Sequence, residues 1–218
     1  MGKHSKKAKT KYKILLILFV IIIAVCVGIL VYLSKNSNSN KSIYEEISVE
    51  DISNVEDNIT ENVRKVINLK QENSDVIGWI KIDNTIIDYP ILQTTDNEYY
   101  LKHNYKKEKS KYGSIYLHKD SDIKDVNSNL IIYGHNMKDE QMFNTLLKYE
   151  DKNFYNEHKK IKIATELEES EYEILSVFKS RVFYQDEKNV FRYYNYTNFK
   201  NEEQYNEFID NCKKIRSI

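Results

Sequence analysis

Residues 14–33 read ILLILFVIIIAVCVGILVYL, a run of roughly 20 residues without a charge. As an α-helix such a run covers a hydrocarbon core ~30 Å thick. The stretch before it, GKHSKKAKTKYK, carries Lys3, Lys6, Lys7, Lys9, Lys11 and Lys13. Lysines flanking a span stay on the cytoplasmic side, so the N-terminus is expected inside and everything after about residue 34 outside. The run is longer than the ~7–15 apolar residues of a cleaved signal peptide, and no A-x-A site follows it. The expectation is therefore a single-pass signal-anchor in the cell membrane, with Tyr12 and Tyr32 as interfacial anchors.

This anchor divides the chain. Residues 1–13 form a basic cytoplasmic tail and residues 14–33 the transmembrane segment. Residues 34–42, SKNSNSNKS, read as a polar linker. Over residues 43–74, Ile43, Ile47, Ile52, Val55, Ile59, Val63 and Val66 recur mostly at three- and four-residue steps, the spacing of amphipathic helices. From residue 75 the period changes. Segments 76–82, 85–92, 113–118, 129–135, 160–165 and 171–180 are short, rich in Ile, Val and Tyr, and bounded by turn formers, as strands are. Segments 97–105, 140–150 and 201–215 read as helices between or after them. Many short strands with inserted helices suggest a closed or nearly closed sheet over 75–218.

Composition removes several function classes. Lys+Arg and Asp+Glu both number 33, so the chain lacks the basic excess of a nucleic-acid binder. The two cysteines are Cys26, inside the apolar run, and Cys212, so no disulfide framework is expected. No CxxC or paired-His spacing points to a metal, and no cofactor is expected.

The segment NLIIYGH, residues 129–135, ends an apolar strand with Gly134 and His135. A strand fixes the backbone, and a glycine permits a sharp exit and close approach of a ligand. An imidazole titrates near neutrality, so it can take or give a proton at working pH. A turn histidine capped by Asn136 would read the same way in isolation.

Three segments bear on that choice: DVIGWIKIDNTIIDYPILQTTDNEYYL (75–101), KYGSIYL (111–117) and NLIIYGHNMKDEQMFNTLLKYEDKNFYNEHKKIKI (129–163). Together they resemble the sortases, and among them class B. The resemblance implies a membrane-anchored cysteine transpeptidase of Gram-positive bacteria. Such an enzyme cuts a C-terminal sorting pentapeptide of a secreted protein after its Thr. It holds the acyl group as a Cys thioester and passes it to an amine of the cell-wall peptidoglycan precursor. The implied fold is mainly β with helices, a sortase-like β-barrel preceded by N-terminal helices and the transmembrane helix. On this resemblance His135 is the catalytic histidine. Asn97, Leu101 and Tyr133 occupy positions that line the peptide groove. The implied partners are the sorting-signal protein, the wall-precursor amine and the membrane.

One departure bears on activity. The family's Cys ends the seventh strand in a TLxTC motif and its Arg lies on the eighth strand. Neither motif occurs in residues 1–218. The expectation is a barrel whose last two strands are missing, and an inactive polypeptide. The alternative is a noncatalytic, membrane-anchored peptide-binding relic of a sortase. Cys212 sits on the apolar face of a helix, close to its C-terminal end, where the helix dipole disfavours a thiolate. It is expected to act as a small buried hydrophobe rather than a nucleophile. After GSIYL the chain has His118-Lys119-Asp120, where class B members often carry an Asp-aromatic-Arg-Asn run, and His118 reads as a surface residue at a strand end.

Overall fold

The computed structural model describes residues 3–49, 59–125 and 128–216. The chain divides into two units, residues 1–47 and 48–218. The first unit consists of helix α1 (Lys3–Val49), which runs on past its boundary. Its side chains over residues 16–33 are exposed, and it is long and apolar enough to cross a membrane. α1 continues through residues 34–42, where the sequence suggested a polar linker. The Lys41–Glu45 ion pair (3.5 Å) at i,i+4 and the Ser42 hydroxyl bonded back to the Ser39 carbonyl (2.9 Å) lie on that helical backbone. Ile52 and Val55, expected in the N-terminal helices, lie outside the described residues.

In the second unit Thr60 caps helix α2 (Glu61–Glu72) by accepting from the Val63 N–H. Val63, Val66 and Leu69 recur on one face of α2 and are buried. Strands β1 (Val76–Lys81), β2 (Asp88–Leu92), β3 (Ile115–Leu117), β4 (Ile132–Tyr133), β5 (Lys160–Ala164) and β6 (Glu169–Glu173) form one mixed sheet in the order β4-β3-β2-β1-β5-β6. Only β2 and β3 pair in parallel. Short helix α3 (Lys152–Glu157) follows a 3₁₀ segment at Asn144–Glu150, and α4 (Glu202–Ile215) follows a second one at Tyr193–Asn195.

The alternation of β1 and β5 explains why the sheet curls. Trp79 turns to the α2 side, where Lys65 lies over its ring, while Ile80 faces the other way. Ile161 and Ile163 of β5 share the side of Ile80, and Lys160 and Lys162 reach out to Glu171 and Asp83. The result is a half-barrel around an open trough of about 640 Å³, lined among others by Ile80, Ile132, Phe143, Leu146, Ile163 and Tyr172. β4 and β6 are the outermost strands on either side of it. The expected six strands are therefore present and the barrel is open between β4 and β6.

Three expectations for local structure differ, the first being segment 140–150, which is a 3₁₀ helix from Asn144 and not helical before it. Segment 97–105 is a series of turns rather than a helix. The Tyr100 carbonyl accepts from the Ser114 N–H (2.8 Å) and the Leu101 carbonyl bonds the His135 ring (2.8 Å), so both carbonyls have partners far along the chain instead of at i+4. Segment 171–180 is strand only through Glu173.

Tyrosines form much of the core. Burial raises Tyr89 and Tyr149 to about 12, and burial raises Tyr100 further, beside the Asp75 carboxylate to which its hydroxyl donates (2.8 Å). A phenol whose folded pKa lies above its unfolded ~10 stabilises the fold fully below pH ~10 and loses that contribution as pH rises towards 12. Ultraviolet titration is expected to show exposed tyrosines ionising first and these three ionising together with loss of helical signal. Their ionisation in the first step with the helical signal intact would contradict this packing.

Candidate active site

His135 follows β4 after Gly134, and two contacts of its own and one of the neighbouring Asn136 fix it. Its carbonyl accepts from the Phe143 N–H (2.9 Å), closing a loop over residues 136–142 that also carries an Asn136–Met142 bridge. The Asn144 side-chain amide donates to the Asn136 side-chain carbonyl (2.7 Å). Its ring Nε2 lies 2.8 Å from the Leu101 carbonyl oxygen. A carbonyl can only accept, so Nε2 carries the proton and the neutral ring keeps its lone pair on Nδ1.

The loop is anchored from below. The Tyr89 hydroxyl accepts from the Met142 N–H (3.2 Å), and the Tyr112 hydroxyl donates to the Asp139 carboxylate (2.5 Å). Met142 holds φ 57°, a left-handed conformation that costs an L-residue roughly 1–2 kcal/mol. Its side chain is fully buried, which offsets that cost.

Gly134 sets the approach. A Cβ there would lie 2.5 Å from the Ile115 side chain and 2.6 Å from the Phe143 ring. Gly134→Ala is expected to destabilise the domain by about 1–3 kcal/mol through overpacking and to shift His135 off the Leu101 carbonyl. Denaturant melts and the His135 ring resonances check this. An unchanged midpoint with unchanged shifts would contradict it.

The other groove candidates fall near this strand. Tyr133 pairs across the sheet with Tyr116, ring centroids 5.1 Å apart. Burial pushes its phenol up, and Tyr193 adds to the shift. Asn97 accepts the Lys119 N–H at its side-chain carbonyl (2.8 Å). Leu101 serves His135 through its backbone carbonyl, while its side chain stays partly exposed. Sequence reasoning passed over His118, whose ring lies 6.0 Å from that of Tyr133. The signal was the i,i+2 spacing of Tyr116 and His118, legible only once β3 is set against β4.

Cys212 lies buried in α4, and burial pushes its thiol up. Its carbonyl accepts from the Ser176 hydroxyl (2.9 Å), a helix-end contact rather than an activated thiol. Among the described residues no group of three or more His, Cys, Asp or Glu is placed to hold a metal ion.

The sequence and the fold have relatives among known proteins. Residues 80–207 match the sortase domain family. The chain belongs to the sortase family. Sortase B of Listeria monocytogenes is 37% identical over 162 residues, which cover 74% of this chain and 61% of that protein. The chain thus spans about three-fifths of the length of this curated relative. Among solved structures, sortase B from B. anthracis in complex with AAEK1 superposes with a TM-score of 0.71 at 31% identity, covering 84% of this chain and 82% of that one. A Staphylococcus aureus sortase B–substrate complex gives 0.70 at 26% identity, with the same coverage. These likenesses place the chain with the class B sortases.

Proposed function

We propose that this sortase is a class B transpeptidase and that residues 1–218 hold the acid/base half of its catalytic site. The observation that carries the proposal is the His135 ring, tied at Nε2 to the Leu101 carbonyl with its Nδ1 lone pair left for chemistry. The substrate is a sorting pentapeptide near the C-terminus of a secreted protein, and the acceptor is an amine of the cell-wall precursor. α1 crosses the membrane with the N-terminal lysines inside, which puts the second unit outside, where both substrates pass.

The chemistry needs a thiolate, and the described residues place no activated thiol beside His135. A protonated His135 gives its Nδ1 proton to the amine that leaves when the thiolate takes the Thr carbonyl. The peptide C–N bond breaks and a thioester forms. Nδ1 then takes a proton from the incoming amine as the new amide forms and the thiolate is released. The Leu101 carbonyl keeps Nε2 protonated throughout, so one nitrogen performs both transfers. Asn97 and Tyr133 border the peptide groove beside it.

A pentapeptide-cleavage assay on the 218-residue polypeptide tests the assignment. No cleavage is expected, since the buried Cys212 is the sole thiol of the second unit. Cleavage that disappears in Cys212→Ala would overturn it. Peptide binding by a gene product that contains no further thiol would instead favour the noncatalytic peptide-binding reading.

A further inference from the structure

We propose that the turn over residues 102–111 is a phosphate-binding platform that docks the second unit on an anionic phospholipid surface. The proposal rests on α1 as the membrane span and is independent of the catalytic reading.

The charge is concentrated in a chain that otherwise balances. Cations and acids number 33 each over the whole sequence. Yet KHNYKKEKSK, residues 102–111, holds Lys102, Lys106, Lys107, Lys109 and Lys111 against the single acid Glu108. All five lysines are exposed. Like charges this close repel one another, and a chain free to move spreads them apart. Here the backbone is fixed.

The turn is closed by its own hydrogen bonds and rooted in the core. The Ser110 N–H donates to the Lys102 carbonyl (2.8 Å), the Asn104 N–H to the Glu108 carbonyl (2.9 Å) and the Lys107 N–H to the Asn104 carbonyl (2.9 Å), around a His103–Lys109 bridge. The Asn104 side chain locks the tip: its carbonyl accepts from the Glu108 N–H (3.0 Å) and its amide donates to the Glu108 carboxylate (2.9 Å). Tyr105 and Tyr112 are buried, and the Tyr105 carbonyl accepts from the Asn73 side-chain amide (2.6 Å). Two ammonium groups are held over these rings, Lys106 at 5.6 Å from the Tyr105 centroid and Lys111 at 4.9 Å from that of Tyr112. Lys107 holds φ 62°, a left-handed conformation uncommon for an L-residue, and its ammonium reaches Asp75 (3.0 Å).

The acids beside these lysines are already engaged, Glu108 by Asn104 and Asp75 by Lys107 and the Tyr100 hydroxyl. The excess at the turn is therefore positive and preorganised, and an anionic partner relieves its self-repulsion without ordering the backbone. An ammonium is a compact charge with three donors, which suits phosphate oxygens. A phospholipid headgroup plane presents phosphates in an array, and the chain brings that plane with it, because α1 is long and apolar enough to cross a membrane. A tethered domain meets its own membrane at high effective concentration, so contacts that are weak one by one suffice. Near an anionic surface each lysine raises the docked population about fivefold, and salt screens the effect.

The test uses the full chain in nanodiscs of phosphatidylcholine alone or rich in phosphatidylglycerol, with lysine acetylation followed residue by residue by mass spectrometry. At low salt Lys102, Lys106, Lys109 and Lys111 are expected to label about fivefold more slowly in the anionic discs. Salt at ~1 M, where the Debye length is ~3 Å, should restore the rate. In a quadruple variant, Lys102→Gln, Lys106→Gln, Lys109→Gln and Lys111→Gln, the retained Lys107 reports, and its protection by the anionic discs should be lost. Equal labelling of the wild type in the two discs overturns the proposal. So does protection spread over the exposed lysines of the second unit, Lys148 and Lys188 included, or protection that survives in the quadruple variant. Protection by soluble polyphosphate in the phosphatidylcholine discs, with none from phosphatidylglycerol, assigns the turn to a phosphate polymer and overturns the membrane docking. None of these readouts involves pentapeptide cleavage, so failure of the platform leaves the transpeptidase reading standing.

Discussion

Trp79→Ala is expected to lower the stability of the second unit by about 3–5 kcal/mol, against a total of roughly 5–15 kcal/mol for a domain of this kind. Trp79 is 1% exposed and packs between β1 and α2. Its ring also carries a polar duty. The indole N–H donates to the Asp88 carboxylate, and the Lys65 ammonium lies 4.9 Å from the ring centroid. The Lys65 side chain is only 2% exposed, held by Glu61 (2.9 Å) and Asp88 (3.5 Å). Removing the indole opens a cavity and strips a buried cation of one of its partners, so two costs add. Trp79→Phe keeps most of the volume and loses the N–H, and should cost less than Trp79→Ala. Chemical denaturation of the three proteins checks the order. Equal midpoints for wild type and Trp79→Ala would mean that α2 does not dock on β1 through this residue.

In the protein that carries both halves of the site, His135→Ala is expected to lower transpeptidation by about 10²–10⁴-fold. The loss should fall on kcat, because the imidazole moves protons and contributes little to peptide binding. His135→Gln should be just as inactive. Its side chain can donate to the Leu101 carbonyl but cannot exchange a proton at neutral pH. That variant separates chemistry from support, because the loop over residues 136–142 should keep its shape. Pentapeptide turnover and amine transfer measure the effect. A His135→Gln protein with near wild-type kcat would show that another group moves the proton.

The sequence carried much of this, in ways tied to particular residues. The apolar run and its lysines stand out because a membrane span needs length and lack of charge, both local properties. Strands around Trp79, Tyr116 and Ile161 were legible because β-branched and aromatic residues cluster between turn formers. Segment 97–105 was not legible. Its apolar spacing suits a helix, but its carbonyls bond Ser114 and His135, partners that only the tertiary fold brings near. Residues 34–42 misled in the other direction, since a run of Ser and Asn lies in the middle of a helix. At the site, strand-Gly-His alone left His135 open between a turn and a catalytic role, and the longer resemblance over residues 75–163 singled it out. The tautomer, the Leu101 carbonyl and the place of His118 required the pairing of β3 with β4.

β4 carries His135 at its end and is an outermost strand, so the open side of the sheet adjoins the histidine. A strand seated there would bring its own side chains beside the imidazole. The trough behind it is apolar through Ile132, Phe143 and Leu146, suited to the alternate residues of such a strand.

The central claim, that this is a transpeptidase whose His135 serves a thiol lying outside residues 1–218, is tested most directly by reading the gene past the codon for Ile218 in every frame. The account predicts, within a few dozen codons, a strand that ends in Cys in a TLxTC-like motif and a further strand that bears Arg. Absence of such codons in all frames would contradict it, and would leave a sortase fold with no nucleophile.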